Sequence, residues 1–348
     1  MNMLDYVNQT PEVLQDILSK RKTIFKPLVE ALKEKHFNEI VFIGSGTSYN
    51  AAFTAKIFIE TILDVKVTTV YPYMFKHYEN ILNPNAIYIG ISQSGSSRLT
   101  HEALSKVKAK GLTTISITSN LNSPIAKLTP ISLDMSCGVE TVVYRTKGYS
   151  STLLDLYLLT LELGLNLEKI SDDKYAQLIL KLENVINELD EVIEASVNWY
   201  KEHKKPLLNR DKMVLIGTGE NWGTAIEGSL KLVETVKCFT NAYELEEYMH
   251  GPQNALSDES CLFIIASENQ SSKKAKLLNE YLKTKVSCSY LVGSEGDLKL
   301  PCKGEAEFSA LELVIPFQVL SYYLSIDKGI DLDKKRFPDF DEFVGKKL

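Results

Sequence analysis

The sequence lacks the features that mark several large protein classes. No CxxC spacing occurs, and the five cysteines, Cys137, Cys238, Cys261, Cys288 and Cys302, are scattered along the chain. An odd, unpatterned set argues against zinc or a disulfide framework and fits reduced thiols, so a cytoplasmic protein is expected. The amino-terminal run MNMLDYVNQTPEVLQDILSKR is charged throughout and has no apolar centre, so no signal peptide is expected. The most apolar late stretch, residues 313–326, is too short to cross a bilayer and contains Pro316 and Gln318, which argues against a membrane partner. A net charge of −6 leaves no basic footprint for nucleic acid. Any acidic ligand must therefore be held by local donors.

What remains is a chain of 348 residues, 44% hydrophobic and 24% charged, with room for two domains that each bury a core. Residues 3–35 read as one or two helices, with Thr10-Pro11-Glu12 as a first turn. The apolar run 39–43 then opens into Gly44-Ser45-Gly46-Thr47-Ser48-Tyr49, ahead of a helix beginning near Ala51. A buried strand, a glycine-rich turn and a helix start together make an anion site, because unpaired amides and the helix dipole point at whatever sits there. A second strand, 86–91, empties into Ser92-Gln93-Ser94-Gly95-Ser96-Ser97 before a helix over 99–110, and a third, 113–118, delivers Ser119-Asn120. Three hydroxyl-bearing strand ends on one edge of a parallel sheet are where an open α/β fold places its ligand.

The pattern then repeats. Residues 213–219, MVLIGTG, echo the first glycine turn, with Gly217 standing 173 positions after Gly44. The runs 261–266 and 286–292 echo the second and third strands, which predicts two tandem α/β modules. Between them, 152–167 reads as a buried helix and 174–203 as a long charged helical connector. The expected division is an amino-terminal helical segment over 1–24, a first domain over 25–170, the connector over 171–204 and a second domain over 205–348. The copies differ chemically: SQSGSS has as its counterpart Ser267-Glu268-Asn269-Gln270, which carries an acid and no glycine. The first copy is therefore expected to bind phosphate and the second to carry the chemistry.

The most informative stretch is IEGSLKLVETVKCFTNAYELEEYMHGP, residues 226–252. Helical spacing puts Ile226, Leu230 and Val233 on an expected buried face and Glu227, Lys231 and Glu234 on a polar strip beside it. On a surface helix such a ladder contributes only about 0.2–0.5 kcal/mol and says nothing of function. The stretch ends in His250-Gly251-Pro252, a bend that presents an imidazole.

The motif E-G-x-L-K-L-x-E at 227–234, with Ala242-Tyr243 and E-x-x-H-G-P at 247–252, resembles the isomerase half of glutamine:fructose-6-phosphate aminotransferase. Both copies resemble the sugar isomerase (SIS) fold: Gly46-Thr47-Ser48-Tyr49 is similar to its GTSY, residues 91–95 to its ISQSG, and residues 138–147 to its GxExxVxxTK. The resemblance implies an α/β protein of two tandem SIS domains, each a flavodoxin-like parallel sheet flanked by helices. It also implies that Ser48, Ser92, Gln93, Ser94 and Ser97 hold a sugar 6-phosphate, with Gly46, Thr47, Val143 and Lys231 in the same binding set. Glu234 is implied to move a proton between sugar C1 and C2, and His250 to open the ring, reaching from a second subunit of a homodimer whose site lies near the interface. The physics agrees: one carboxylate can shuttle that proton, an imidazole suits ring opening near neutral pH, and an anchored phosphate sets the carbons in place. No metal or cofactor is expected.

Two departures shape the expected activity. The chain opens on a helix where a glutaminase would need its catalytic cysteine, so ammonia from glutamine is not expected as a substrate. The tail Asp331-Leu332-Asp333-Lys334-Lys335-Arg336-Phe337-Pro338 diverges from the aminotransferase after Arg336, leaving no counterpart of that family's imine-forming lysine, although Lys346 or Lys347 are alternatives. This tail is similar to that of deglycases acting on phosphorylated Amadori products such as fructoselysine or glucoselysine 6-phosphate, whose substrate brings its own nitrogen. The alternatives are a glucosamine-6-phosphate isomerase or deaminase without a glutaminase domain, and a non-catalytic sugar-phosphate sensor. A nicotinamide dehydrogenase is disfavoured, because the G-x-G beginning at Gly44 has Tyr49 where the dinucleotide fingerprint needs glycine.

Overall fold

The computed structural model describes residues 1–267, 271–302 and 305–346. The counterpart residues Glu268, Asn269 and Gln270, and also Lys347, lie outside the described residues. In chain order the elements begin with α1 (Met3–Asn8), α2 (Thr10–Leu32), β1 (Glu39–Ile43), α3 (Thr47–Leu63), β2 (Lys66–Val70), α4 (Pro72–Tyr78), β3 (Ala86–Ile91) and α5 (Arg98–Lys108). They continue with β4 (Thr114–Thr118), α6 (Pro124–Leu128), β5 (Ile131–Asp134), α7 (Lys147–Asn166), α8 (Asp172–Leu208), β6 (Lys212–Gly217), α9 (Glu220–Thr235), β7 (Phe239–Glu244) and α10 (Leu245–Tyr248). The last are β8 (Ser260–Ile265), α11 (Ser272–Lys283), β9 (Ser289–Gly293), β10 (Leu298–Lys299), α12 (Ala310–Leu313), α13 (Ile315–Asp327) and α14 (Phe340–Phe343). Among the described residues no helix is long and apolar enough to cross a membrane.

The chain forms two compact units, each assembled from separated segments. The first contains Glu12–Glu140, Lys147–Ile179 and the stretch from Lys335 onward. Its sheet runs β2-β1-β3-β4-β5, and every pairing is parallel. Strands β1, β3 and β4 are buried at every position, as parallel strands covered by helices on both faces must be. One side of the core is Val41, Ile43, Tyr88, Ala103, Leu104 and Val107. The register places Ile43 opposite both Val70 and Gly90, and Ile91 opposite Ile117, so the loops after β1, β2, β3 and β4 leave from one edge. The strand order turns back on itself between β1 and β3, which makes the crevice between their loops the topological switch point.

The second unit contains Met1–Pro11, Thr141–Thr146 and Leu180–Lys334. Its sheet runs β10-β9-β8-β6-β7, also all parallel. Read from β7, this is the order of the first sheet, so the expected pair of parallel α/β modules is present. The repeat extends to backbone detail: Gly46 before α3 (φ 54, ψ −130) and Gly219 before α9 (φ 59, ψ −133) share a conformation that glycine alone adopts easily.

Two readings need correction. Helix α3 begins at Thr47 rather than near Ala51, because Gly46 already turns the chain into it. The face of α9 is also inverted. Val233 is 43% exposed, while Glu227 and Lys231 are buried with Ala225, Gly228 and Leu232. Gly228 shows why: a Cβ there would lie 2.7 Å from Leu215 and 2.8 Å from Phe317, so this side of α9 is pressed onto β6 and α13. Close packing, not hydrophobic periodicity, decides which strip faces inward.

Candidate active site

Two constellations stand out, one in each unit. In the first, the loop after β3 is held by a small set of bonds centred on Gln93. Its carbonyl accepts from Ser119 N (3.0 Å), Ser119 Oγ (2.7 Å) and Thr118 Oγ1 (3.2 Å). Its side-chain Nε2 donates to Glu140 (3.0 Å), which also accepts from the amides of Lys147 (3.1 Å) and Gly148 (2.9 Å). Gly95 makes the turn at φ 65, where an added Cβ would meet Ser123 Oγ at 2.0 Å. Ser94 and Ser96 share a hydroxyl contact of 2.9 Å, and Ser97 Oγ accepts from Thr100 (3.0 Å).

The helices α3 and α5 start on either side of this crevice, and neither N-cap residue offers a side chain to the helix's backbone amides. The positive ends of two helix dipoles and a cluster of small hydroxyls suit a doubly charged anion. The structure brings Gly46, Thr47, Ser48, Ser92, Gln93, Ser94 and Ser97 to this one edge. The Gln93 amide, however, is engaged by Glu140, so it shapes the loop. The tail beyond Lys335 belongs to the same unit, where Lys346 O accepts from Arg98 N at 3.4 Å and Lys346 Nζ pairs with Asp341 at 3.3 Å.

The second constellation lies along α9. Lys231 Nζ sits 3.5 Å from Glu227 Oε1 and 2.9 Å from Glu234 Oε2. The side chains of Glu227 and Lys231 are 0% and 3% exposed, whereas Glu234 is 34% exposed. This is no solvated surface ladder. Burial pushes the Lys231 ammonium toward losing its proton, but the carboxylates of Glu227 and Glu234 more than offset that, and its pKa ends above the ordinary lysine value. A buried cation between two carboxylates is a fixed unit, and Glu234 is its one open end.

His250 is exposed on the turn after α10, where its amide donates to Glu247 O at 3.1 Å, and Gly251 follows at φ 135. Val143 is half-buried in the 141–146 segment. Lys147, the last residue of the GxExxVxxTK-like segment, is 3% exposed. Glu140 was missed as an organiser of the serine loop, although its place in the GxExxV-like segment was the available signal. Lys237 was missed altogether; a lysine two residues past a helix end gives no such hint.

The SIS domain model matches residues 33–162 and 207–297. The chain belongs to the SIS domain family. Within it, the chain is 29% identical over 354 residues to glutamine–fructose-6-phosphate aminotransferase of Caldanaerobacter subterraneus subsp. tengcongensis, covering 96% of this chain and 57% of that protein. This SIS protein therefore spans a little over half the length of such relatives. Among solved structures, a candidate phosphosugar isomerase from Clostridium difficile 630 is 28% identical with a TM-score of 0.91, covering 100% of this chain and 99% of the other. The C-terminal domain of glucosamine-fructose-6-phosphate aminotransferase from Francisella tularensis has the same fold, at 24% identity and a TM-score of 0.86, covering 96% and 97% of the two chains.

Proposed function

We propose that this SIS protein is a phosphosugar isomerase-type enzyme that moves a proton between C1 and C2 of an amino-substituted sugar 6-phosphate. Its proposed substrate is a phosphorylated Amadori product of the fructoselysine or glucoselysine 6-phosphate class. The observation that carries the reading is the buried Glu227-Lys231 pair, which holds Glu234 in place with part of its carboxylate open.

Ser48, Ser92, Ser94 and Ser97, with the amides of the α3 and α5 amino termini, take the phosphate. His250, supplied by a second copy in a homodimer, exchanges a proton with the ring oxygen as the sugar opens. Glu234 removes the proton from C1 of the ketosamine while the C2 carbonyl oxygen gains one, giving an enaminol. Returning that proton to C2, as the nitrogen gives up its own to replace the one taken by the C2 oxygen, leaves an aldimine at C1, which water splits into the aldose 6-phosphate and a free amine. The nitrogen travels with the substrate, so no enzyme lysine is required. That fits a tail in which Lys346 is 64% exposed and paired with Asp341 rather than shielded as a nucleophile.

A screen of phosphorylated Amadori compounds and hexosamine phosphates, read as released amine or ammonia, tests the proposal. Amine release from a fructosamine 6-phosphate is the expected result. Ammonia release from glucosamine 6-phosphate alone would favour the deaminase, and saturable binding without turnover would make the protein a sensor.

A further inference from the structure

The end of α9 carries an oddity that the proposed chemistry leaves unused. After the cap at Val236 the chain turns through Lys237 at φ 60, a conformation that helix ends normally assign to glycine. The side chain accounts for its persistence. Lys237 Nζ donates to the backbone carbonyl of Glu234 and to Tyr144 Oη at 2.6 Å, and it lies 4.4 Å from the centre of the Tyr144 ring. One ammonium thus satisfies a carbonyl at the negative end of α9 and donates a second hydrogen bond to the phenol oxygen of Tyr144.

Tyr144 belongs to Thr141–Thr146, a short segment of the same compact unit as α9. The segment is fastened near both ends. Thr141 N donates to Tyr6 Oη at 3.1 Å, and Thr146 O accepts from Gln318 Nε2 at 3.4 Å. Between these points stands Val143, a member of the proposed binding set. Lys237 therefore ties the turn that carries Glu234 to the middle of that segment.

We infer that Lys237 is a positioning residue that sets Glu234 against the Val143-Tyr144 segment. This rests on the proposed role of Glu234. A plain helix cap would stabilise α9 and nothing more. A positioning residue changes turnover even where stability is kept, since a small misplacement of a catalytic group lowers the rate steeply.

Glycine separates the two, because it accepts φ 60 without strain while removing the ammonium. Lys237→Gly is expected to keep its melting temperature, lose about tenfold in kcat and leave KM nearly unchanged. Lys237→Arg is expected to recover most of the loss, and Tyr144→Phe to reproduce part of it. The pH profile keeps its shape in all three, because Lys237 transfers no proton. Hydrogen exchange in the wild-type and Lys237→Gly chains gives a readout independent of any substrate: amides of 141–146 and of the last turn of α9 should exchange faster together. If the wild-type protein fails to turn over the sugar substrate, the functional reading falls and the exchange data alone decide this inference. Wild-type kcat in Lys237→Gly, or unaltered exchange in the 141–146 segment, overturns it.

Discussion

Helices α3 and α9 occupy the same place in two copies of one fold, yet their inner strips differ. The offset of 173 that separates Gly46 from Gly219 sets Glu227, Lys231 and Glu234 against Thr54, Phe58 and Thr61. In α3 these positions make ordinary structure: Thr54 bonds Asn50 O (2.8 Å) and Tyr149 Oη (3.0 Å), and Phe58 packs edge-on to Tyr157. In α9 they hold an ion triad, buried at Glu227 and Lys231 and open at Glu234. The crevices differ too. The first copy offers serines and two uncapped helix starts, whereas the second places Glu220 where the first has Thr47, with its pKa raised by burial. A duplicated fold fixes where a ligand or a reacting group can sit, and the side chains then decide what each copy does.

The largest effect should come from breaking the triad. Lys231→Met leaves the carboxylate of Glu227 buried without its cation, which costs about 3–5 kcal/mol and should be read as a lowered denaturant midpoint together with lost activity. Phe58→Met, the matching change in α3, is a near volume-conserving swap expected to cost less than about 1.5 kcal/mol. Next are the crevices. Ser94→Ala removes one hydroxyl from the proposed phosphate cradle, about 1.5–3 kcal/mol for a hydrogen bond to a charged group, so KM should rise at least about tenfold. Ser267→Ala, in the loop after β8, should leave KM unchanged.

A smaller effect is expected at Gly228, whose counterpart is the fully buried Ala55. Gly228→Ala must push Leu215 or Phe317 aside, a loss of about 1–3 kcal/mol measurable as a lower Tm. A further effect, seen only on changing the pH, concerns Glu312 of α12, whose pKa burial and the neighbouring Glu188 carboxylate raise from 4.5 to about 8. The folded state then holds more protons than the unfolded one over this range, so stability falls as pH rises from about 4.5 to about 8. Glu312→Gln should flatten that slope in Tm measured across pH, and an unchanged slope would assign it to other groups.

Much of this architecture was legible in the sequence. The cores of β1, β3, β6 and β8 are apolar runs, β4 alternates isoleucine with threonine and serine, and serine or glycine follows β1, β3 and β4, so both the sheets and their functional edge could be read. Strands β2, β5, β7 and β10 were missed because they are short or half-exposed, without a continuous apolar run; the pattern over β7 is mostly intermediate or exposed. The inward strip of α9 was misread because burial there follows Gly228 and the Lys231 ion pairs, which periodicity cannot see. Lys237 stayed hidden for a similar reason: its importance lies in a backbone angle and a contact with Tyr144, far away in sequence.

The most direct test of the account is the amount of amine released from fructoselysine 6-phosphate in a single turnover by wild-type and Glu234→Gln protein. The account predicts release by the wild type and a rate about 10²–10⁴-fold lower in the variant, with binding of the phosphorylated sugar retained. Equal rates in the two proteins would contradict it.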